Sequence, residues 1–284
     1  MPFGAALLGC PLMGMMPERP GDWEPCPTRA DKRDIASDFG RAATTYEQAS
    51  RLQRMMGMRM LERLSVERAS PLRILDLGCG TGWFSRALAR RYPDAVIVGA
   101  DLAEGMVSRA RAGGGAAFLA ADAEALPFVS GGFDLVFSNL MIQWCSEPEQ
   151  VLSECRRLLR PGGWLALSTL LEGTLSELRQ AWAVADPGRP HVNEFVPETC
   201  WRTTVTGVLP GADCVAETLR LPYDSPMALN RELKGLGATF KGDGRRRSLT
   251  APGRFRAMVR AYPVADGDGV LASYRAGWVY WSAR

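Results

Sequence analysis

Residues 74–82 read ILDLGCGTG, and this stretch decides the fold class. Apolar residues lead into glycines that alternate with other residues, and such a run lets the backbone turn tightly and approach a ligand closely. A dinucleotide-binding fingerprint would place a further glycine at position 83, where this chain has Trp83. The pattern therefore counts against a nicotinamide or flavin dinucleotide.

Strand-like and helix-like segments alternate on both sides of this stretch. Strands are predicted at residues 72–77, 95–100, 118–120, 133–138 and 164–169, and a final strand near 278–281. Helices are predicted at residues 84–91, 106–112 and 149–159, the last one stopped by the PGG at 161–163. The alternation predicts parallel strands joined by crossover helices, so the fold class is α/β with a doubly wound, Rossmann-like sheet.

Three acids lie at or near the ends of the first three predicted strands. Asp76 stands just before the first glycine, Asp101 ends the second strand and Asp122 follows the third. A carboxylate at the end of the second strand is placed to accept both hydroxyls of a ribose. The set suits a ligand with a cationic amino-acid moiety, a ribose and an adenine, and without phosphate. The alternative is that these acids only cap helices and solvate loops.

Residues 74–169 resemble the class I S-adenosylmethionine-dependent methyltransferases, which implies S-adenosyl-L-methionine as the cofactor. By this resemblance Asp76, Gly78 and Gly80 lie at its methionine end and Asp101 at its ribose. The other cofactor-binding residues that it implies are Met106, Asp122 and Ala123 around the adenine, and Asn139 near the methyl group.

The flanking segments carry a second, more specific resemblance. These segments are FGRAA at 39–43, Tyr46, LQ at 52–53, QWC at 143–145, TLLEGTL at 169–175, LKGLGAT at 233–239 and Gly244-Arg245. Over residues 31–250 they resemble the malonyl-[acyl-carrier protein] O-methyltransferases of biotin synthesis. The chain departs from that family at 270–274, where VLASY replaces Leu-Pro-Leu-Thr-Tyr and puts the last strand's entry into the sheet in question.

The second resemblance implies methyl esterification of the free carboxylate of a malonyl thioester, with acyl carrier protein as the partner and coenzyme A as the other carrier. A carboxylate is already ionised at pH 7, so the reaction needs no general base. It does need a cation that selects the free acid, and a guanidinium matches a carboxylate with two parallel hydrogen bonds. The candidates are Arg41, Lys234 and Arg245; we favour Arg245 as the catalytic cation, with Tyr46 as its hydroxyl partner.

Other interpretations stay open at this point. Tyr46 could simply pack on its helix, and His191, the single histidine, shapes the pocket or lies on the surface. Another small-molecule methyltransferase, such as a quinone C-methyltransferase, would want a base and an apolar acceptor pocket. A protein that binds the cofactor without catalysis and a nucleic-acid methyltransferase are less consistent with these motifs and with a net charge of +3.

Composition bounds the organisation of the chain. The 284 residues are 46% hydrophobic, and no apolar run approaches the ~18–20 residues of a membrane span. Seven cysteines without C-x-x-C spacing and one histidine give no support for a zinc site, and they suggest reduced thiols in a cytoplasm. We predict a flexible extension at 1–30 and one domain at 31–284. Its parts are a helical lid (31–68), the cofactor-binding core (69–170), an inserted lid (171–211) and C-terminal elements that complete the sheet (212–284), with a basic run at 245–247 as a candidate docking site for the acidic carrier.

Overall fold

A seven-stranded sheet organises the molecule. The computed structural model describes residues 31–64, 71–241, 251–264 and 269–284, so the predicted extension at 1–30 and Arg245 lie outside the described residues. The strands are β1 (Arg73–Leu77), β2 (Val96–Asp101), β3 (Ala117–Ala120), β4 (Phe133–Asn139), β5 (Leu159–Leu171), β6 (Asp213–Tyr223) and β7 (Val270–Ser282). Their order is β3-β2-β1-β4-β5-β7-β6. This arrangement confirms the predicted Rossmann-like α/β sheet.

Five strands run parallel and two run antiparallel. β3, β2, β1, β4 and β5 form parallel pairs, whereas β7 pairs antiparallel with both β5 and β6. The chain leaves β1 toward β2 and β3 on one side and resumes at β4 on the other. The direction of winding therefore reverses between β1 and β4, and ligands of such sheets bind beyond the carboxyl ends of the strands at this point.

Helices cover both faces of the sheet. They are α1 (Lys32–Ala42), α2 (Tyr46–Ala49), α3 (Arg51–Arg63), α4 (Trp83–Arg91), α5 (Glu104–Gly113), α6 (Pro148–Leu158), α7 (Ser176–Ala185), α8 (Glu198–Val208), α9 (Pro226–Gly235) and α10 (Pro252–Ala261). Neighbouring residues of β1 face opposite layers: Ile74 packs with α3, α4 and α7, and Leu75 packs with α6 and α8. Burial on both faces explains why the central strands are continuous apolar runs. No helix among the described residues has the length and apolarity needed to cross a membrane.

The N-terminal segment, which the sequence pattern predicts to be helical, consists of three helices in its described part, residues 31–64. α1 ends at Ala42, and the Thr45 hydroxyl donates to the Ala42 carbonyl at 3.1 Å and to the Gly235 carbonyl at 2.8 Å. A second break falls at Ser50, whose φ of −89° and ψ of 38° are not helical. These breaks turn the segment over the carboxyl edge of the sheet.

The C-terminal half also differs from the pattern. The last strand was predicted only near 278–281, but β7 spans 13 residues and pairs along the whole of β6. The atypical VLASY lies at its start, where Val270 opposes Tyr223 in normal antiparallel register. α8 and α10 had no predicted counterpart. Because α8 buries Trp201 and Val205 in the same layer as α6, the segment 171–211 predicted as a lid includes a helix of the core.

Gly57 allows α3 to pack closely against Phe84 at the start of α4. A methyl group on its Cα would lie 2.0 Å from the Phe84 ring, which is far inside contact distance. We expect Gly57→Ala to lower the free energy of unfolding by about 1–3 kcal/mol, because overpacking outweighs the gain in helix propensity. The matched control is Gly207→Ala in α8, where a methyl group meets nothing within 4 Å and should be neutral or stabilising. Urea unfolding of both variants measures this, and equal stabilities would contradict the close contact.

Candidate active site

The loop after β1 is fixed by the end of β2. The amides of Gly78 and Cys79 donate to the Ala100 carbonyl at 2.8 and 3.0 Å, and the Gly80 amide donates to Oδ2 of Asp101 at 2.9 Å. Gly78 and Gly80 have φ values of +74° and +53°, a conformation that residues with a side chain rarely adopt. The glycines are thus required by the turn itself.

Asp101 holds a charge in a poorly solvated place. Its Oδ1 accepts the Ala103 amide at 2.8 Å, and Oδ2 accepts the Gly80 amide. Burial nevertheless raises the pKa of its carboxyl above the usual range. Additional hydroxyl donors, such as those of a ribose, would stabilise the ionised form.

Asp76 is the second enclosed carboxylate at this edge. Ser85 donates its hydroxyl to Oδ2 at 2.5 Å, yet burial, together with the charge of Asp101, raises the Asp76 pKa to about 7. A neighbouring cation would lower this pKa again. The pair of carboxylates therefore favours a ligand that brings both a cation and hydroxyl groups, and S-adenosylmethionine, with its α-ammonium and its ribose, fits this requirement.

The predicted cofactor residues converge on one region. A single cavity is lined by Tyr46, Gly78, Gly80, Asp101, Met106, Asp122, Ala123 and Asn139. An adjoining cavity, which we call the methionine-end cavity, is lined by Asp76 together with Tyr46, Gly78, Gly80 and Asn139. The structure thus brings together nine of the ten predicted site residues, and the tenth, Arg245, lies outside the described ranges.

Lys32 lies across the side of the cofactor cavity predicted for adenine. Its ammonium donates to Asp122 and to Glu124, each at 2.6 Å, and this pairing lowers the pKa of Asp122 despite partial burial. Asp122 also accepts the Glu124 amide at 3.0 Å. A carboxylate accepts about four hydrogen bonds, so Asp122 keeps capacity for an adenine amino group beside these partners.

Asn139 joins the sheet to the N-terminal helices. Its side-chain amide donates to the Gln53 carbonyl at 3.0 Å, and its Oδ1 accepts from Ser168 at 2.8 Å. The same Ser168 oxygen accepts the Leu140 amide at 3.0 Å. α3 is therefore held at the end of β4, directly above the methionine-end cavity.

A larger cavity of about 310 Å³ lies beside the cofactor cavity, and we call it the acceptor cavity. The two share four lining residues: Phe39, Tyr46, Leu140 and Trp144. The Phe39 ring packs edge-on against Trp144, with centroids 5.2 Å apart. Most of the remaining wall comes from α3, α7, α9 and residues 191–195 and 236–240. An acceptor in this cavity would meet the cofactor beside Tyr46.

The other polar candidates have distinct surroundings. His191 stacks on Trp182 at 3.9 Å and shares a 2.9 Å hydrogen bond with Asp186, so within the acceptor cavity it shapes the wall. Arg41 is largely exposed and pairs with Asp38 on its own helix. Lys234 lines the acceptor cavity and forms no ion pair within the described parts of the chain. Those parts also contain no cluster of three or more potential metal ligands.

Two residues that sequence reasoning missed line these cavities. Lys32 was not distinguished from other helix cations, because its partners lie about 90 residues away in the chain. Gln53 was quoted only as part of a motif, and its backbone contact with Asn139 spans 86 residues. The one available signal was that Leu52-Gln53 recurs in the resemblance.

Comparisons with known proteins show which families the chain is similar to. A family model described as a methyltransferase domain matches residues 75–167. The malonyl-[acyl-carrier protein] O-methyltransferase of Serratia marcescens is 40% identical over 252 residues, which cover 88% of this chain and 96% of the relative. The enzyme of the same name from Methylococcus capsulatus is 39% identical, covering 86% and 91%.

Solved structures show the same fold. The YcgJ protein of Bacillus subtilis superposes with a TM-score of 0.56 at 18% identity, covering 81% of this chain and 97% of that one. A putative methyltransferase in complex with the Trm112 activator of Haloferax volcanii gives 0.56 at 21% identity, covering 88% and 97%.

The Asp101 carboxylate gives a direct test of the cofactor site. Losing hydrogen bonds to a charged acceptor costs roughly 1.5–3 kcal/mol, so Asp101→Ala should bind S-adenosylhomocysteine about 10- to 150-fold more weakly. Isothermal titration calorimetry measures this affinity. The control is Glu104→Ala, which removes an exposed carboxylate whose partner is Arg111 and should leave binding unchanged. Wild-type affinity in Asp101→Ala would mean that the ribose is held elsewhere.

Proposed function

Because the chain belongs to the family of malonyl-[acyl-carrier protein] O-methyltransferases, we propose that it transfers a methyl group from S-adenosylmethionine to the free carboxylate of a malonyl thioester carried on acyl carrier protein. The product is the malonyl methyl ester that begins biotin synthesis. The observation that carries the proposal is the acceptor cavity that meets the cofactor cavity beside Tyr46.

The groups around this junction suit a carboxylate nucleophile. The cofactor supplies an electrophilic methyl group on a sulfonium centre. Burial and the charge of Asp101 raise the pKa of the Tyr46 phenol, so it stays protonated and can donate a hydrogen bond to an acceptor oxygen. A carboxylate arrives already ionised, and no residue has to remove a proton. The chain's contribution is then to position the acceptor and exclude water.

The rival function, C-methylation of a quinone, needs a base to generate the nucleophile. The histidine of the acceptor cavity, His191, uses Nε2 for Asp186 and one ring face for Trp182. We therefore favour the carboxylate acceptor.

Free thiols are consistent with a cytoplasmic reaction, since the five cysteines in the described ranges form no disulfide. We therefore place the reaction in the cytoplasm.

The proposed function predicts a simple substrate profile. Malonyl carrier protein should gain one methyl group on its free carboxylate, whereas a succinyl carrier should react poorly and an acetyl carrier should be inert. The physical reason is that acetyl has no carboxylate and succinyl places its carboxylate one methylene farther along the cavity. Intact-protein mass spectrometry with labelled S-adenosylmethionine measures transfer. Equal turnover of malonyl and acetyl carriers would exclude carboxylate methylation.

The cation that holds the substrate carboxylate is the second part of the proposal. We assign it to Arg245, and Arg245→Lys keeps the charge but loses the two parallel hydrogen bonds. The expected result is a fall in malonyl turnover of about 10- to 100-fold, on the order of one charged hydrogen bond, with unchanged affinity for S-adenosylhomocysteine.

Lys234→Met is the comparison variant, because Lys234 lines the acceptor cavity. If Arg245→Ala keeps full activity while Lys234→Met loses it, the carboxylate is held by Lys234. Arg41 is the weaker alternative because Asp38 already holds it. Steady-state kinetics of Arg245→Lys, Arg245→Ala and Lys234→Met separates these outcomes.

A further inference from the structure

Of the described residues, only Gln53 and Tyr46 line both the methionine-end cavity and the acceptor cavity. Tyr46 carries a hydroxyl with a single proton to donate, whereas Gln53 carries an amide with an acceptor oxygen and two N–H donors. A glutamine at the boundary between two ligand sites can hydrogen-bond to both ligands at once.

The Gln53 side chain has no protein partner that explains its position. Oε1 is buried and accepts no hydrogen bond, and within the described ranges no residue bonds to the side-chain nitrogen either. Leaving a buried polar group without a hydrogen bond destabilises the fold, so most such groups have a partner. The missing partner of Oε1 is thus expected to come from a ligand.

The backbone of Gln53 is held independently of its side chain. Its carbonyl accepts from Asn139 Nδ2 at 3.0 Å, and Asn139 is itself fixed by Ser168 at 2.8 Å. Substitutions at position 53 keep this link, because it involves only the main chain. Side-chain variants therefore test the amide without releasing α3 from β4.

We propose that Gln53 bridges the two substrates, with Oε1 accepting from the α-ammonium of the cofactor and Nε2 donating to the acceptor carboxylate. The acceptor half of this inference rests on the proposed function. An amide suits this place because it is uncharged, so it meets a cation on one side and an anion on the other without repelling either. The bridge makes each ligand favour the binding of the other, and such coupling is reciprocal.

Two variants separate this role from packing. Gln53→Met keeps the length and removes both polar atoms, and it should weaken S-adenosylhomocysteine binding about tenfold, the loss expected for one charged hydrogen bond. Gln53→Glu keeps an acceptor for the ammonium and places a negative charge next to the acceptor carboxylate. It should bind S-adenosylhomocysteine at least as tightly as wild type, but lose malonyl turnover on the order of 100-fold through like-charge repulsion. Gln48→Met, an exposed substitution in α2, is the matched control and should change neither quantity.

The coupling is measured without turnover. Calorimetry gives the S-adenosylhomocysteine affinity with and without saturating malonyl carrier protein, a pair that cannot react. Wild type should bind about fivefold more tightly in the presence of the carrier, roughly 1 kcal/mol of coupling, and Gln53→Met should show no difference. Equal losses of affinity in Gln53→Met and Gln53→Glu, or wild-type affinity and coupling in Gln53→Met, would overturn the bridge.

Failure of the proposed function has a different signature. A wild-type enzyme that leaves malonyl carrier protein unmethylated contradicts the acceptor assignment. The S-adenosylhomocysteine affinities of Gln53→Met and Gln53→Glu still test the contact between Gln53 and the cofactor, because these measurements need no acceptor. A tenfold loss confined to the methionine variant supports that contact, and no loss in either variant overturns it.

Discussion

The hydrogen bond from the Gly80 amide to the Asp101 carboxylate is the contact on which the site depends. It joins the loop after β1 to the end of β2, and the same carboxylate accepts the Ala103 amide at the start of α5. One enclosed charge thus fixes the turn that the glycines permit and the helix that follows β2. Burial, together with this same charge, raises the Tyr46 pKa, which keeps that phenol a hydrogen-bond donor. The Asp101 side chain therefore influences the loop after β1, the start of α5 and the protonation of Tyr46.

Segments that are distant in the chain cover the site above the carboxyl edge of the sheet. α1 approaches α5 so closely that a methyl group on Gly105 would lie 2.8 Å from the Gly40 backbone. Thr45 bonds to the Gly235 carbonyl at the end of α9, and the buried Lys241 pairs with Asp38 of α1. These contacts bring the N-terminal helices and α9 over the carboxyl edge of the sheet. The acceptor cavity exists only because the two segments meet there.

The sequence was sufficient for the core and its cofactor residues because both follow local rules. Periodic apolar runs predicted β1 to β5, and strand-end acids such as Asp101 converge once parallel strands are aligned. α8 and α10 were missed because their apolar residues, such as Trp201, are few and become meaningful only against a partner layer. Gln53 was missed for a related reason: its proposed role depends on its position between two cavities, and segments far apart in the chain build those cavities. Contacts between distant segments leave no local pattern in the sequence.

Charge explains how a site with few cations can accept an anion. Asp76 and Asp101 make the cofactor side negative, and of the described residues lining the acceptor cavity, Glu232 and Lys234 carry opposite charges. The bound sulfonium therefore adds to the attraction that the proposed Arg245 gives a carboxylate, because opposite charges at close range in a poorly solvated site interact strongly. Methyl transfer removes both charges, leaving a thioether and a neutral ester. The attraction that assembled the complex therefore disappears with the reaction, and product release follows from the same electrostatics that favoured binding.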